Sequence, residues 1–515
     1  MLAGNSAKHM KRTPDDLHEV LLSSSPHGAV TGPAGSITRR DFCRLSGVAL
    51  GGVSLAGAES VDPGTQAPGT QASLVGGYAP DELQRMFVNP VRLPRPDTPC
   101  PLPQSGTIRG VTYTGRYRDY PQTTGADTFM TSWAANGNLY ATYADGFATA
   151  ADVSKVSAIC TLQSNHWYFR RLGIHSPLEP GSVANPPVFE KTSESRQATH
   201  TGNAILIGDD PFDLTIHALP PTPLRMTEYP ACYPSGCLVR DDIWMTACHY
   251  RAWSLDSEQR QLCYEQGPAR FRFSPDYGKS WQWSPHDDRK PVIPELGRPA
   301  GGAPIKLGTA KFVDFGRNME HSPDGLAYLV GHGSSDPKGV SNWSSGDAMY
   351  IARVSPAIEA INDPSAYEYY AGPDPSGKPQ WSREFARIRP VFEWPCRCGL
   401  PSITYFPSIR KYLAVFCVGW PDGVDGQYDT WIAEADELHG PWSLVTYWNA
   451  FADQAYFAQI PSKFIQADGR FMLFYSGGWS GVKPLPPEWR KQPAIPELPN
   501  AAYALCVAEF RLELS

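Results

Sequence analysis

Short apolar and aromatic runs, each closed by a turn rich in Gly, Asp, Asn or Pro, recur along the chain from about residue 106 onward. They are Leu139–Tyr143, Ile205–Ile207, Leu238–Ala247, Phe271–Trp283, Ala327–Gly331, Met349–Val354, Ile403–Tyr405, Tyr412–Val418, Thr430–Ala435, Lys463–Ile465 and Phe471–Tyr475. None carries the 3.6-residue periodicity of a long amphipathic helix, so the pattern predicts strands joined as hairpins. A turn followed at once by a strand repeats at Asp241-Asp242-Ile243, Asp324-Gly325-Leu326 and Asp468-Gly469-Arg470. Such repetition fits a β-propeller, whose blades are successive hairpins around an axis, better than a sandwich with one core.

The clearest hairpin signal lies between Gly125 and Gly146, where Asn136-Gly137 separates two apolar and aromatic runs. Folding about that turn brings Asp127 and Asp145 to the same end of two paired strands, within about 5 Å of backbone spacing. Their relative facing depends on register. A two-residue loop sets the carboxylates on opposite faces, whereas a three- or five-residue loop sets them opposite each other on one face. On one face, mutual repulsion raises one pKa and leaves the other group ionised, which separates an acid from a base or nucleophile.

Composition narrows the class. In 515 residues, 50 prolines and 46 glycines against 19% charged residues favour many short strands and turns over helices. A formal charge of -7 and no Lys/Arg runs in the body remove the footprint of a nucleic-acid binder. Fifteen Trp and 24 Tyr suit stacking on sugar rings or lining a cleft, with core packing as their other use. At the N-terminus, Ser36-Ile37-Thr38-Arg39-Arg40-Asp41-Phe42 precedes a moderately apolar, glycine-containing segment and Ala56-Gly57-Ala58. This matches a twin-arginine export signal over residues 1–58, which makes the export machinery an expected partner and predicts a periplasmic or extracellular protein. Residues 59–105 read as a Pro/Gly-rich linker and lead-in, and 106–515 as the propeller domain. No stretch reaches 18 apolar residues, so no membrane span is expected.

Ten cysteines remain after removal of the signal, an even number that permits disulfides, but cargo folded before export equally permits buried thiols. Cys396-Arg397-Cys398 and Cys232…Cys237 lack the paired second half of a zinc site, so neither metal nor cofactor is expected. There is no Gly-x-Ser-x-Gly elbow, phosphate-cradling loop or dinucleotide fingerprint, which disfavours serine hydrolases and nucleotide enzymes.

Ser274-Pro275-Asp276-Tyr277-Gly278-Lys279-Ser280-Trp281 matches the Asp box of sialidase-like propellers, a turn-forming device in which Asp276 and Ser274 bond the backbone and Gly278 takes a positive φ. The hairpin and the Asp box stand in one order with Tyr350-Ile351-Ala352-Arg353-Val354, Tyr367-Glu368-Tyr369-Tyr370, Gly399-Leu400-Pro401-Ser402, Gly440-Pro441-Trp442 and Ile460-Pro461-Ser462-Lys463-Phe464. As a set these motifs resemble the domain of unknown function 4185 family over roughly residues 105 to 480. The resemblance implies an all-β, five-bladed propeller and secreted polysaccharide hydrolysis, since some members cut D-arabinan within the chain. Asp127 and Asp145 match the aspartates of the family's first hairpin. The chain departs from the pattern at Ala134-Ala135-Asn136, where acidic turn residues are common, and in a Pro-rich insertion over 170–230.

Glycosidic hydrolysis needs one carboxyl group to protonate the leaving oxygen and another as base or nucleophile, about 5 to 9.5 Å apart. Asp127 and Asp145 are the leading pair, with Glu320 or Asp429 as a third acid. Trp133, Arg397 and Lys463 are the candidate substrate-binding residues, and the partner is a polysaccharide or oligosaccharide. Two other readings stand beside this one: a non-catalytic carbohydrate-binding or cell-surface propeller, and a sialidase-type or lyase enzyme on the same blades.

Overall fold

Strands adjacent in sequence pair with one another throughout the chain, and the result is five antiparallel sheets. A computed structural model describes residues 98–120, 123–148, 202–219, 232–255, 261–265, 270–286, 292–293, 305–336, 344–419, 428–452, 455–477, 495, 497–499, 501 and 504–515. The expected export signal and most of the expected lead-in lie outside these residues. All described residues belong to one compact unit, Ala72–Ser515.

The first strand, β1 (Ile108–Asp119), belongs to the last sheet. Blade 1 contains β2 (Thr124–Trp133), β3 (Leu139–Ala148), β4 (Gly202–Ile207) and β5 (Thr215–Ala218). Blade 2 is built on β6 (Cys232–Arg240), β7 (Ile243–Leu255), β9 (Arg270–Ser274) and β10 (Gln282–Trp283), with β8 (Gln261–Glu265) paired to the far half of β7. Blade 3 runs β11 (Gly308–Phe312), β12 (Ala327–Gly333), β13 (Ala348–Val354), β14 (Glu368–Pro373) and β15 (Pro379–Ser382), and β16 (Phe392–Glu393) also pairs with β13. Blade 4 is β17 (Ser402–Phe406), β18 (Lys411–Val418), β19 (Asp429–Ala435) and β20 (Ser443–Trp448). Blade 5 is β21 (Tyr456–Gln459), β22 (Arg470–Ser476) and β23 (Cys506–Leu514), and β1 completes it as the outermost strand. The chain is a five-bladed β-propeller, closed by its own N-terminal strand. Residues upstream of β1 continue along blade 4: Gln104 bridges Leu444 in parallel, Ser105 N donates to the Leu444 carbonyl at 2.8 Å, and the Ser105 hydroxyl donates to Glu434 at 2.9 Å. That strap covers an edge that would otherwise expose unpaired backbone groups.

Blades pack face to face, so the middle strands are apolar on both sides and lose the inward/outward alternation of a half-exposed sheet. Every residue of β12, β18 and β19 is buried. Aromatic pairs join neighbouring blades: Tyr140–Trp244 at 5.2 Å, Phe271–Phe312 at 6.2 Å, Phe392–Phe416 at 5.7 Å and Phe406–Phe471 at 5.7 Å between centroids. Cys237, Cys398 and Cys417 are buried thiols within this packing.

The Asp box closes the turn between β9 and β10. Asp276 accepts from the Ser274 hydroxyl at 2.8 Å and from the Ser280 amide and hydroxyl at 2.8 and 2.7 Å, and Gly278 has φ 89°. Partial burial alone would raise the Asp276 carboxyl, but the Ser280 and Ser274 bonds outweigh it and hold the pKa below the usual carboxylate range. Asp276→Ala is expected to cost about 1 to 2 kcal/mol in urea unfolding, the loss of several turn hydrogen bonds.

One run expected as a strand differs. Ser462–Phe464 is a turn of 3-10 helix, because the Ser462 amide and hydroxyl bond the Asp314 carboxylate at 2.8 and 2.7 Å, which turns the chain away from the sheet.

Candidate active site

Each blade begins with its innermost strand, so β2, β6, β11, β17 and β21 line the axis and run the same way along it. The second strand of each blade returns to the starting end. The connections from second to third strand therefore emerge there, and they are long: residues 149–201, 334–347, 419–428 and 477–505, with the added β8 hairpin in blade 2. At the other end three of the five first-to-second connections are tight, at 134–138, 241–242 and 407–410, and two are longer, at 313–326 and 460–469. Long connections on one face of a rigid scaffold mark the face that carries function.

Asp127 lies near the start of β2, at that face, and is 8% exposed. Its carboxylate accepts from the Thr128 hydroxyl at 2.7 Å and from the Tyr456 hydroxyl on β21, across the junction of blades 1 and 5. Tyr456 is itself stacked on Tyr428 at 5.2 Å. Gln459 fixes the same junction: its amide nitrogen donates to the Phe129 carbonyl and its oxygen accepts from Thr131 N at 3.2 Å.

The hairpin loop has five residues, Ala134 to Asn138, between the Trp133–Leu139 pair. Continued without interruption, that register would oppose Asp127 to Asp145. An extra residue around Thr128, which has φ 60°, slips Asp127 onto Ala144, and an extra residue at Asp145-Gly146 restores the ladder at Gly125–Phe147. Asp145 thus follows the cross-strand partner of Asp127, with the two backbones about 6 Å apart. The Asp145 side chain lies outside the described residues.

This double bulge is not alone. Near its start, β6 shifts register between Pro234 and Gly236, β11 between Gly308 and Lys311, and β21 between Tyr456 and Gln459. Thr309 (φ 44°), Leu400 (φ 46°) just before β17, and Phe457 (φ 53°) are left-handed, as Thr128 is. Non-glycine residues held there cost about 1 to 3 kcal/mol each, and bulges re-aim side chains beside active sites. A left-handed residue thus falls within or just before every inner strand except β6, which carries a bulge near its start.

Lys311 follows the β11 bulge and is 2% exposed. From blade 3 its amine reaches across to blades 4 and 5, donating to the Leu400 carbonyl at 3.1 Å and lying 5.4 Å over the Phe457 ring. Burial pulls its pKa down to about 7, which the nearby Cys417 only slightly offsets. At the far end, Asp314 joins three blades. Its amide and carbonyl pair with Ile403 and Tyr405, and its carboxylate takes the Ser462 bonds. Burial raises the Asp314 carboxyl despite those donors.

The sequence-derived candidates divide between the two ends. Arg397 precedes β17 at the Asp127 end; it donates to the Cys396 carbonyl at 3.3 Å, and its own carbonyl accepts from Trp431 at 2.8 Å. Trp133 ends β2, six residues and roughly 20 Å from Asp127. Lys463 is at the Trp133 end too, donating to the carbonyls of Gly137 at 2.8 Å and Gly208 at 2.6 Å beside Asp209. Glu320 follows β11 at that end, exposed, accepting from Arg317 N at 3.2 Å with His321 at 3.8 Å. Asp429 is bonded within blade 4 by Tyr447 at 2.8 Å and Ala450 N at 2.9 Å. The backbones of Asp127 and Asp145 are therefore neighbours, one residue out of the direct opposition that loop length predicts, whereas Glu320, Trp133 and Lys463 are not brought to them, because the axis separates the start of an inner strand from its end. Lys463→Met would leave two carbonyls without their donor, an expected loss of about 1 to 3 kcal/mol in urea unfolding.

Tyr456 and Lys311 were missed by sequence reading. Neither sits in a motif; the only signal is Tyr456-Phe457 in an apolar stretch following a turn. Among the described residues no group of three or more His, Cys, Asp or Glu could hold a metal ion, and no helix is long and apolar enough to cross a membrane.

No protein-family model matches the sequence, and no curated protein does. Solved structures do resemble the chain. A GH43_1 enzyme from Xanthomonas citri complexed with xylose is 11% identical, with 76% of this chain and 88% of that one covered and a TM-score of 0.35. An α-L-arabinofuranosidase from Podospora anserina in complex with cellotriose is 11% identical, with 80% and 96% covered and a TM-score of 0.34. A family 117 glycoside hydrolase from Zobellia galactanivorans is 12% identical, with 79% and 91% covered and a TM-score of 0.36. At these identities and scores the likeness says nothing about which reaction, if any, this chain performs.

Proposed function

We propose that the chain is an exported glycoside hydrolase that cleaves a polysaccharide, with furanose-containing glycans such as arabinan as the leading substrate class. One observation carries this reading: a buried carboxylate on an axial strand, at the face with the long connections, with a second acidic residue one place beyond its cross-strand partner. The sequence resemblance to the domain of unknown function 4185 family, and its twin-arginine-like leader, support the substrate class and the export route.

The hydrogen bonds divide the roles. In this scheme Asp127, which accepts from the Thr128 and Tyr456 hydroxyls, is assigned as the base or nucleophile. Asp145 then serves as the acid that protonates the leaving oxygen. Glu320 has no place in this scheme, since it stands at the other end of the axis.

The test is incubation of the purified protein, Asp127→Asn and Asp145→Asn with arabinans, galactans and other polysaccharides, with reducing ends as the readout. Cleavage by the wild type that fails in both variants is the expected result. The binding-module reading draws on one observation, that both Asp127 oxygens already have donors. It expects the wild type to bind glycan without releasing product.

A further inference from the structure

Lys311 is a buried amine that forms no ion pair among the described residues and that the reaction scheme above does not use. Its contacts are informative by where they fall. The amine ends on Leu400 and Phe457, two residues whose backbones are left-handed, and Lys311 itself follows a third, Thr309. Conformations of this kind persist only where the surroundings over-determine them. Phe457 is the residue next to Tyr456, whose hydroxyl bonds Asp127. One chain of contacts therefore runs from blade 3, through the amine, to the bulge of β21 and on to the candidate carboxylate.

Taking Asp127 as the reacting carboxylate, we propose that Lys311 is a positioning residue: by tying the Leu400 carbonyl to the Phe457 ring across the axis, it holds the β21 bulge in the shape that presents Tyr456 to Asp127. Lys311 does not touch the substrate, because its side chain is closed off from solvent. Its neighbours agree with this role. The Cys417 thiol from β18 is pushed up to about 12, chiefly by burial, and so carries no charge that would claim the amine as an ion-pair partner. The Leu400 amide in turn donates to His332 Nδ1 at 3.3 Å, so both polar groups of that left-handed residue are anchored.

The experiment compares wild type, Lys311→Met, Tyr456→Phe and the double variant. On arabinan, Lys311→Met is expected to lower kcat about 10-fold with KM within two-fold, and the double variant to be no slower than the slower single variant. Multiplying losses, or an unchanged kcat, would overturn the proposal. An infrared measurement, independent of activity, isolates the Asp127 carboxylate band by difference against Asp127→Asn. The band should move in Lys311→Met as it does in Tyr456→Phe. If the wild type cleaves no glycan, the hydrolase reading fails while the infrared result still decides the positioning role; an unmoved band in Lys311→Met rejects it.

Discussion

On the proposed hydrolase reading, Asp127→Asn is expected to lower polysaccharide cleavage by roughly 10²- to 10⁴-fold, the range that a positioned proton-transfer group or nucleophile supplies, while the protein remains folded. The reason for the intact fold is local. An asparagine keeps the volume and one acceptor oxygen, and the Thr128 and Tyr456 hydroxyls can rotate to accept from the new amide. On that reading, what disappears is the carboxylate that would take a proton from water or attack the sugar. Asp145→Asn should behave likewise, because each carboxyl group is needed once in the cycle. Thermal unfolding of both variants should stay within a few degrees of the wild type, which separates loss of chemistry from loss of structure. Product release that persists in both variants would remove Asp127 and Asp145 from the chemistry, and a wild type that releases no product would remove the hydrolase reading itself.

Much of this architecture is legible in the chain. The middle strands, such as Tyr412–Val418 and Thr430–Ala435, announce themselves as continuous apolar runs because both faces are buried between blades. Outer strands carry a weaker signal. In β1, polar and apolar residues mix along a largely exposed edge, and its partner β23 lies about 390 residues downstream, beyond any local pattern. The first hairpin shows why local rules reach Asp127 but stop short of the site's detail. Loop length alone predicts two aspartates directly opposed, and two bulges undo that register by one residue. Bulges have no composition of their own here: Thr128, Thr309, Leu400 and Phe457 adopt a glycine-favoured conformation because tertiary contacts impose it. For the same reason Glu320 and Lys463 were drawn into the candidate set. Sequence places them next to strands, but only the shared direction of the inner strands reveals which end of the axis they occupy.

Lys311→Met should make the protein more stable at neutral pH, with a pH dependence that identifies the cause. The folded chain holds this amine at about 7, whereas the unfolded chain titrates near 10.5. Between those values the unfolded state binds a proton that the folded state does not, so stability rises with pH across the window. Below about pH 7 both states are protonated, and the full cost of burying the charge, on the order of 4 kcal/mol, is present. Above about pH 10.5 it is gone. Methionine removes the charge but leaves the Leu400 carbonyl without its donor, an opposing loss of about 1 to 3 kcal/mol. The variant should therefore gain about 1 to 3 kcal/mol in urea unfolding at pH 7, and the gain should shrink or reverse by pH 10. A difference that does not change with pH would mean that the amine is not the group responsible. A gain in stability alongside slower cleavage would fit a strained site held in shape at the expense of the fold, because the amine that costs stability is the one that reaches two left-handed residues, one of them next to the Tyr456 that bonds Asp127.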